Sequence, residues 1–286
     1  MLLILSAIWG SAFIAIKLSL EYFAPVSVAS YRLIIASIFL LIFYIIGQYK
    51  TLLSKKDLLM LIFVGVVGNF LPFYLISWSE QFIQSSTAGI LMGIGPILTL
   101  VLSHFLTKDD KINSVKLISI IVGFIGVLFI FEIDSLFSFQ SSNSLQLISK
   151  FLIIIAALGY MISNIVAYNT LKHIDSFSIT FFATLFGAII SIQFLIFSEF
   201  NQPSYFNIKS ILPILYLGIF PTALAFQLRY HITKTSGPVF LSYVAYLIPI
   251  FALIWGFILL SEKIYLSSIV GITLILMGVY IGRKNQ

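Results

Sequence analysis

The chain has 286 residues, 60% of them hydrophobic and 9% charged, with a formal net charge of +6 and a mean hydropathy of +1.11. Soluble domains carry about 25% charged residues, so a water-soluble fold is excluded. Continuous apolar runs of about 20 residues likewise exclude a transmembrane barrel of short alternating strands.

The first apolar run begins at Met1, with no basic region before it and no small-residue cleavage site after it. It predicts a retained helix over 2–20 rather than a signal peptide. A second span is predicted over 26–47. Arg32 lies about seven residues into it, roughly 10 Å along a helix axis. A charge at that depth is costly and faces protein or water. Pairing within the fold is the expected role, with Glu21 and Glu80 as candidate partners, so Arg32 is read as a structural or gating residue. Binding of an anionic substrate group is the second reading. Further spans are predicted over 58–79, which carries Asn69, over 85–106, with Pro96 near its middle, and over 114–132.

A loop rich in Ser and Asn runs from Glu132 to Ser149 and divides the chain into two groups of five spans. The second group is predicted at 147–170, 176–197, 209–231, 236–261 and 265–282. Tyr160 lies in the first of these and Thr222 in the third. Tyr243, Tyr246 and Pro249 lie in the fourth. Arg229 and His231 are expected at the inner end of the span over 209–231. The fold class is therefore an all-α polytopic membrane protein of ten transmembrane helices, in two five-helix repeats over 1–133 and 147–286.

The halves repeat each other. Thr87 through Pro96 to Lys111-Ile112 matches Val239 through Pro249 to Glu262-Lys263-Ile264, and a Gly-Val helix follows each (Gly126-Val127 and Gly278-Val279). Gly65 through Phe73 matches Gly218 through Phe226, which sets Asn69 opposite Thr222; in the first span of each half, Trp9 falls opposite Tyr160. Five spans per half is an odd number, so the second half enters from the opposite side and the repeat is inverted. Most lysines and arginines fall on the side shared by the termini, which predicts both termini in the cytoplasm. The basic residues thus report topology rather than nucleic-acid binding.

Pro96 and Pro249 each remove a helical N–H and strand the carbonyl four residues back, at Met92 and Ala245. Freed carbonyls within a bilayer need protein or cavity water. A substrate site is expected beside them, between the halves, lined by Trp9, Asn69, Tyr160, Thr222, Tyr243 and Tyr246. The competing reading for each is a helix–helix hydrogen bond.

No cysteine is present, and His104, His173 and His231 are widely spaced, so no metal site is expected. No nucleophile–base motif or phosphate loop is found, so no catalytic residue and no cofactor are expected. Asp109-Asp110 is read as a solvated loop pair. A membrane enzyme or a lipid-handling protein is the alternative class, and it lacks a reactive constellation. No Asp or Glu is expected near mid-membrane, which argues against a strict proton requirement.

The segment Ile8-Trp9-Gly10-Ser11-Ala12-Phe13, the spacing of Pro25 to Arg32, and the repeated proline helices closed by Glu262 or by Asp109 and Asp110 resemble the EamA family of the drug/metabolite transporter superfamily. The resemblance covers essentially the whole chain. It implies inverted repeats about a central cavity and the movement of small metabolites, often amino acids or related compounds, typically outward. A bacterial cytoplasmic membrane is the implied location. The expected partners are a small-molecule substrate and the lipid bilayer, not nucleic acid.

Overall fold

A computed structural model of the chain describes residues 1–108, 111–130, 144–260 and 266–283. All of the regular secondary structure among the described residues is helical. The helices are α1 (Leu2–Leu20), α2 (Pro25–Ile46), α3 (Lys55–Gly65), α4 (Leu71–Ser79), α5 (Ser85–Met92), α6 (Gly95–Leu106), α7 (Ser114–Ile130), α8 (Ser144–Thr170), α9 (Ser176–Asn201), α10 (Ile208–Leu217), α11 (Ala225–Ser242), α12 (Val244–Leu260) and α13 (Leu266–Arg283). Two π-helical segments, Val66–Phe70 and Gly218–Leu224, join α3 to α4 and α10 to α11 without a break.

Among the described residues, 7 helical runs are long and apolar enough to cross a membrane by length and composition, and three shorter apolar helices accompany them. Large apolar side chains cover the outside: Ile46, Phe105, Phe197 and Phe200 are 70%, 77%, 74% and 87% exposed. Such a surface suits hydrocarbon and would aggregate in water. The protein is a multi-pass membrane protein.

Polar caps start the helices where the chain turns. Ser54 and Asp57 form a capping box at the start of α3, with the Asp57 N–H donating to Ser54 Oγ at 3.2 Å and the Ser54 N–H to Asp57 Oδ2 at 3.0 Å. Asp175 Oδ1 accepts from the Ser178 N–H at the start of α9, and Asn207 and Ser210 form a second capping box at the start of α10. Pro25 opens α2 at a position whose N–H needs no helical partner.

Three boundaries differ from the sequence expectation. The span expected over 85–106 is broken at Gly93–Ile94, so Pro96 sits in the first turn of α6 rather than inside a continuous kinked helix. The helix expected to end near 231 runs on to Ser236 and bends at Gly237, whose φ of 82° suits glycine. The second proline helix breaks at Tyr243, and Pro249 lies inside α12. The acidic ends of the repeated segment, Asp109, Asp110, Glu262, Lys263 and Ile264, lie outside the described residues.

Helix α7 lies along α13, with their backbones close enough that a Cβ on Gly126 would approach the Gly271 carbonyl to 2.7 Å. Helix α2 lies along α9, and α1 packs on α12. Helices α1, α2, α4, α5, α8, α11 and α12 surround an internal cavity.

Candidate functional site: a cavity with two buried arginines

The cavity is partly open, and the space within it, with the solvent at its mouth, comes to about 740 Å³. Helix α1 supplies Trp9, Ala12, Phe13 and Ile16, and α2 supplies Arg32. Phe73 and Ile76 come from α4, Met92 from α5, and Tyr160, Met161 and Asn164 from α8. Helices α11 and α12 complete it with Arg229, Leu241, Ser242, Val244, Ala245 and Ile248. The walls are apolar and aromatic, the charged lining residues are both arginines, and no Asp or Glu is among them.

Arg229 is fully buried. Its Nε donates to Asn164 Oδ1 at 2.7 Å, its Nη1 to the Gly68 carbonyl at 3.2 Å, and its Nη2 to Ser163 Oγ at 2.8 Å and the Tyr160 carbonyl at 3.5 Å. The rings of Phe226, Tyr230 and Tyr160 stand 4.9, 5.1 and 5.2 Å from the guanidinium carbon. Carbonyls, hydroxyls and ring faces thus replace the counter-ion that a buried cation ordinarily needs.

The Gly68 carbonyl is available for a local reason. Pro72 has no N–H to return to the carbonyl four residues back, and that carbonyl belongs to Gly68. The π turn at Val66–Phe70 sits on the same stretch. π-helical turns occur mostly as single insertions inside α-helices, frequently at functional sites.

The other half has a counterpart. Pro221 lies inside the π turn Gly218–Leu224, and its missing N–H is opposite the Leu217 carbonyl. The Thr222 hydroxyl donates to that carbonyl at 2.7 Å and accepts from Arg32 Nε at 3.1 Å. Arg32 is 3% exposed, with its guanidinium carbon 3.5 Å above the centre of the Phe73 ring. Phe73 in turn packs on Phe226 at 5.5 Å, so an aromatic wall links the two arginines. Each π turn therefore holds one arginine of the cavity.

Of the residues expected to line a site, Trp9 and Tyr160 do so. Trp9 Nε1 donates to the Pro221 carbonyl at 3.0 Å. Asn69 and Thr222 are buried in the π turns and are not lining residues; the Asn69 amide has no hydrogen-bond partner among the described residues. Tyr243 and Tyr246 turn away toward α7. There the Tyr243 hydroxyl meets Ser119 Oγ at 2.5 Å, and the Tyr246 hydroxyl donates to the Ile120 carbonyl at 2.9 Å. The breaks near Pro96 and Pro249 do border the cavity, through Met92, Val244, Ala245 and Ile248.

Arg32 makes no direct ion pair with Glu21 or Glu80, although Glu80 acts on it electrostatically at longer range. Among the described residues no carboxylate is within ion-pair distance of it, and Glu80 Oε2 accepts from Ser85 Oγ at 3.2 Å. Arg229 was expected at a membrane edge. Its signal in the sequence is its place three residues past the repeated Gly218–Phe226 block, and with α11 running on to Ser236 it is buried inside the bundle rather than at a helix end.

The model of the EamA-like transporter family matches residues 1–132 and 147–282. The chain is 25% identical to the uncharacterized transporter YoaV of Bacillus subtilis (strain 168), over 96% of its own length and 92% of that protein's. It is 30% identical to the uncharacterized transporter YetK of the same organism, over 96% and 83%. A solved crystal structure superposes with a TM-score of 0.79 at 16% identity, covering 99% of this chain and 97% of the other, which is a likeness of fold.

Proposed function

The chain belongs to the EamA-like transporter family, and on that premise we propose that it is a secondary transporter moving a small metabolite across the bacterial cytoplasmic membrane by alternating access, as an exporter or exchanger. The cavity carries this reading. It is enclosed by helices from both halves of the chain, and its polar groups are gathered between them. Such placement at the interface of repeats is where transporters bind substrate.

The proposed frame is ten spans in two inverted repeats, with both termini cytoplasmic. Packing across the halves supports it. A Cβ on Gly65 would meet the Ala183 carbonyl of α9, and one on Gly218 would meet the Arg32 carbonyl of α2 at 3.2 Å. Gly65 and Gly218 are partners in the repeated block. Ala183 and Arg32 stand equally far past the N-caps of their helices, Asp175 and Ala24. A two-fold relation between the halves accounts for both crossings.

Trp9 and Tyr160 are proposed to touch substrate. Asn69, Thr222, Tyr243 and Tyr246 act behind the lining, with Thr222 orienting Arg32. The helix breaks before Pro96 and Pro249 are proposed as the points where the cavity wall gives during access.

The test is flux in proteoliposomes. Purified protein, reconstituted without any ion gradient, should move at least one solute from a labelled metabolite mixture down its own gradient, well above protein-free vesicles. Folded protein that moves nothing overturns the transporter reading. An absolute requirement for a proton gradient would leave transport standing and remove uncoupled exchange.

A further inference from the structure

We propose that the cavity recognises its substrate through a carboxylate, held by Arg32, and that a counter-charge for an amine is not part of the site. This rests on the transporter reading and names the solute class: small organic acids with an apolar or aromatic body.

The first observation is the state of Arg32. Its guanidinium carries five N–H groups, four of them on the two terminal nitrogens. Nε is committed to Thr222. The terminal N–H groups have no acceptor among the described residues, although the residue is 97% buried and lines the cavity. Those terminal nitrogens are not among the fully buried polar atoms, so they open onto the cavity, where a solute can accept from them. The fork geometry matches a carboxylate, which accepts two parallel bonds.

The second observation is the asymmetry of charge. Arg229 lines the same cavity, and no lining residue is acidic. Glu80 acts on Arg32 through space but stands outside the lining, so the wall itself presents two cations and no anion to a solute. An anion entering the cavity is attracted, and a cation is repelled. Arg229 contributes charge while its hydrogen bonds stay with Asn164, Gly68 and Ser163. Arg32, in contrast, has donors to give. Its expected role as a structural charge is replaced here by that of a ligand.

The third observation is the remaining wall. Trp9, Phe13, Met92, Met161 and Ile248 offer apolar and aromatic contact, suited to the body of the solute rather than to a second charged end.

The experiment uses the full chain in detergent and in proteoliposomes. The probes are phenylacetate, benzoate and 3-methylbutanoate, each paired with its amide and its amine of matching skeleton. At least one carboxylate should raise the thermal midpoint and be taken up, and its amide and amine should do neither at the same concentration. Arg32→Gln should keep the unliganded midpoint and weaken the carboxylate about tenfold to a hundredfold, the value of a charged hydrogen-bond pair. Arg32→Lys keeps the charge and loses the fork, so it should fall between. If Arg32→Gln does not fold, Arg32→Lys decides, and unchanged affinity overturns the proposal. Equal binding of amides or amines overturns it, as does a panel in which no carboxylate binds. Uptake of neutral or cationic solutes alone removes the carboxylate and leaves transport standing. Binding of carboxylates without uptake of any solute removes the transport reading and leaves the site.

Discussion

At the scale of single residues, the two arginines divide the work. All three guanidinium nitrogens of Arg229 donate to the protein, and the residue holds α11, α8 and the Val66–Phe70 turn together. Arg229→Ala leaves the acceptors of Asn164 and Gly68 buried without a donor. Stability should fall by about 3 kcal/mol, within the usual cost of breaking a buried charged network. Thermal unfolding in detergent checks it, and a midpoint like that of the wild type would contradict the assigned role. The sequence marked Arg32 by its depth, but its neighbours were not legible. Glu21 and Glu80 are close along the chain or on the same side of the bilayer, whereas the group that meets Arg32 Nε is Thr222, 190 positions away. Tyr243 and Tyr246 show the same limit. Hydropathy shows that a hydroxyl lies within a span, not which way it faces. Here the partners on α7, Ser119 and the Ile120 carbonyl, decide it.

At the scale of elements, the π turns matter more than the prolines that stand out in the repeat. Pro96 is in the first turn of α6, where a missing N–H costs nothing. Pro72 is inside a continuous run and leaves the Gly68 carbonyl for Arg229. Pro72→Ala restores an N–H that competes for that carbonyl and favours a plain α register. Transport should slow about fivefold to tenfold, the value of roughly one hydrogen bond, with no loss of folded protein by size-exclusion chromatography. An unchanged rate would count against the π turn as a working part. The repeated block Gly65–Phe73 and Gly218–Phe226 was legible as a match between halves. The π register inside it was not, because one inserted residue in a helix leaves no mark on an all-apolar stretch. The end of the eighth span was misjudged for a related reason. The span is expected to stop at His231, with Lys234 in the loop beyond it, yet the helix persists until Gly237 supplies a conformation that other residues avoid.

At the scale of the whole molecule, composition and run length sufficed for an all-helical membrane protein, since 9% charge leaves no other medium for the chain. The position of the cavity followed in outline from the repeat. Its chemistry did not, because Arg229 was placed at the membrane edge and the cavity's charge went unseen. The proposed inverted arrangement makes a direct prediction about sidedness. Reporter fusions after Lys55 and after Ser142 should report opposite sides of the membrane, and the same side for both would contradict it.

Alternating access to the cavity is the central claim, and the absence of native cysteine allows a direct test. A single cysteine placed at Ala12 or at Ala245, both in the cavity wall, can be labelled with a membrane-impermeant thiol reagent in right-side-out and in inside-out vesicles. Each cysteine should be reachable from both sides, and a transported solute should slow its labelling from both. Labelling from one side only, whatever solute is present and while transport continues, would contradict the account.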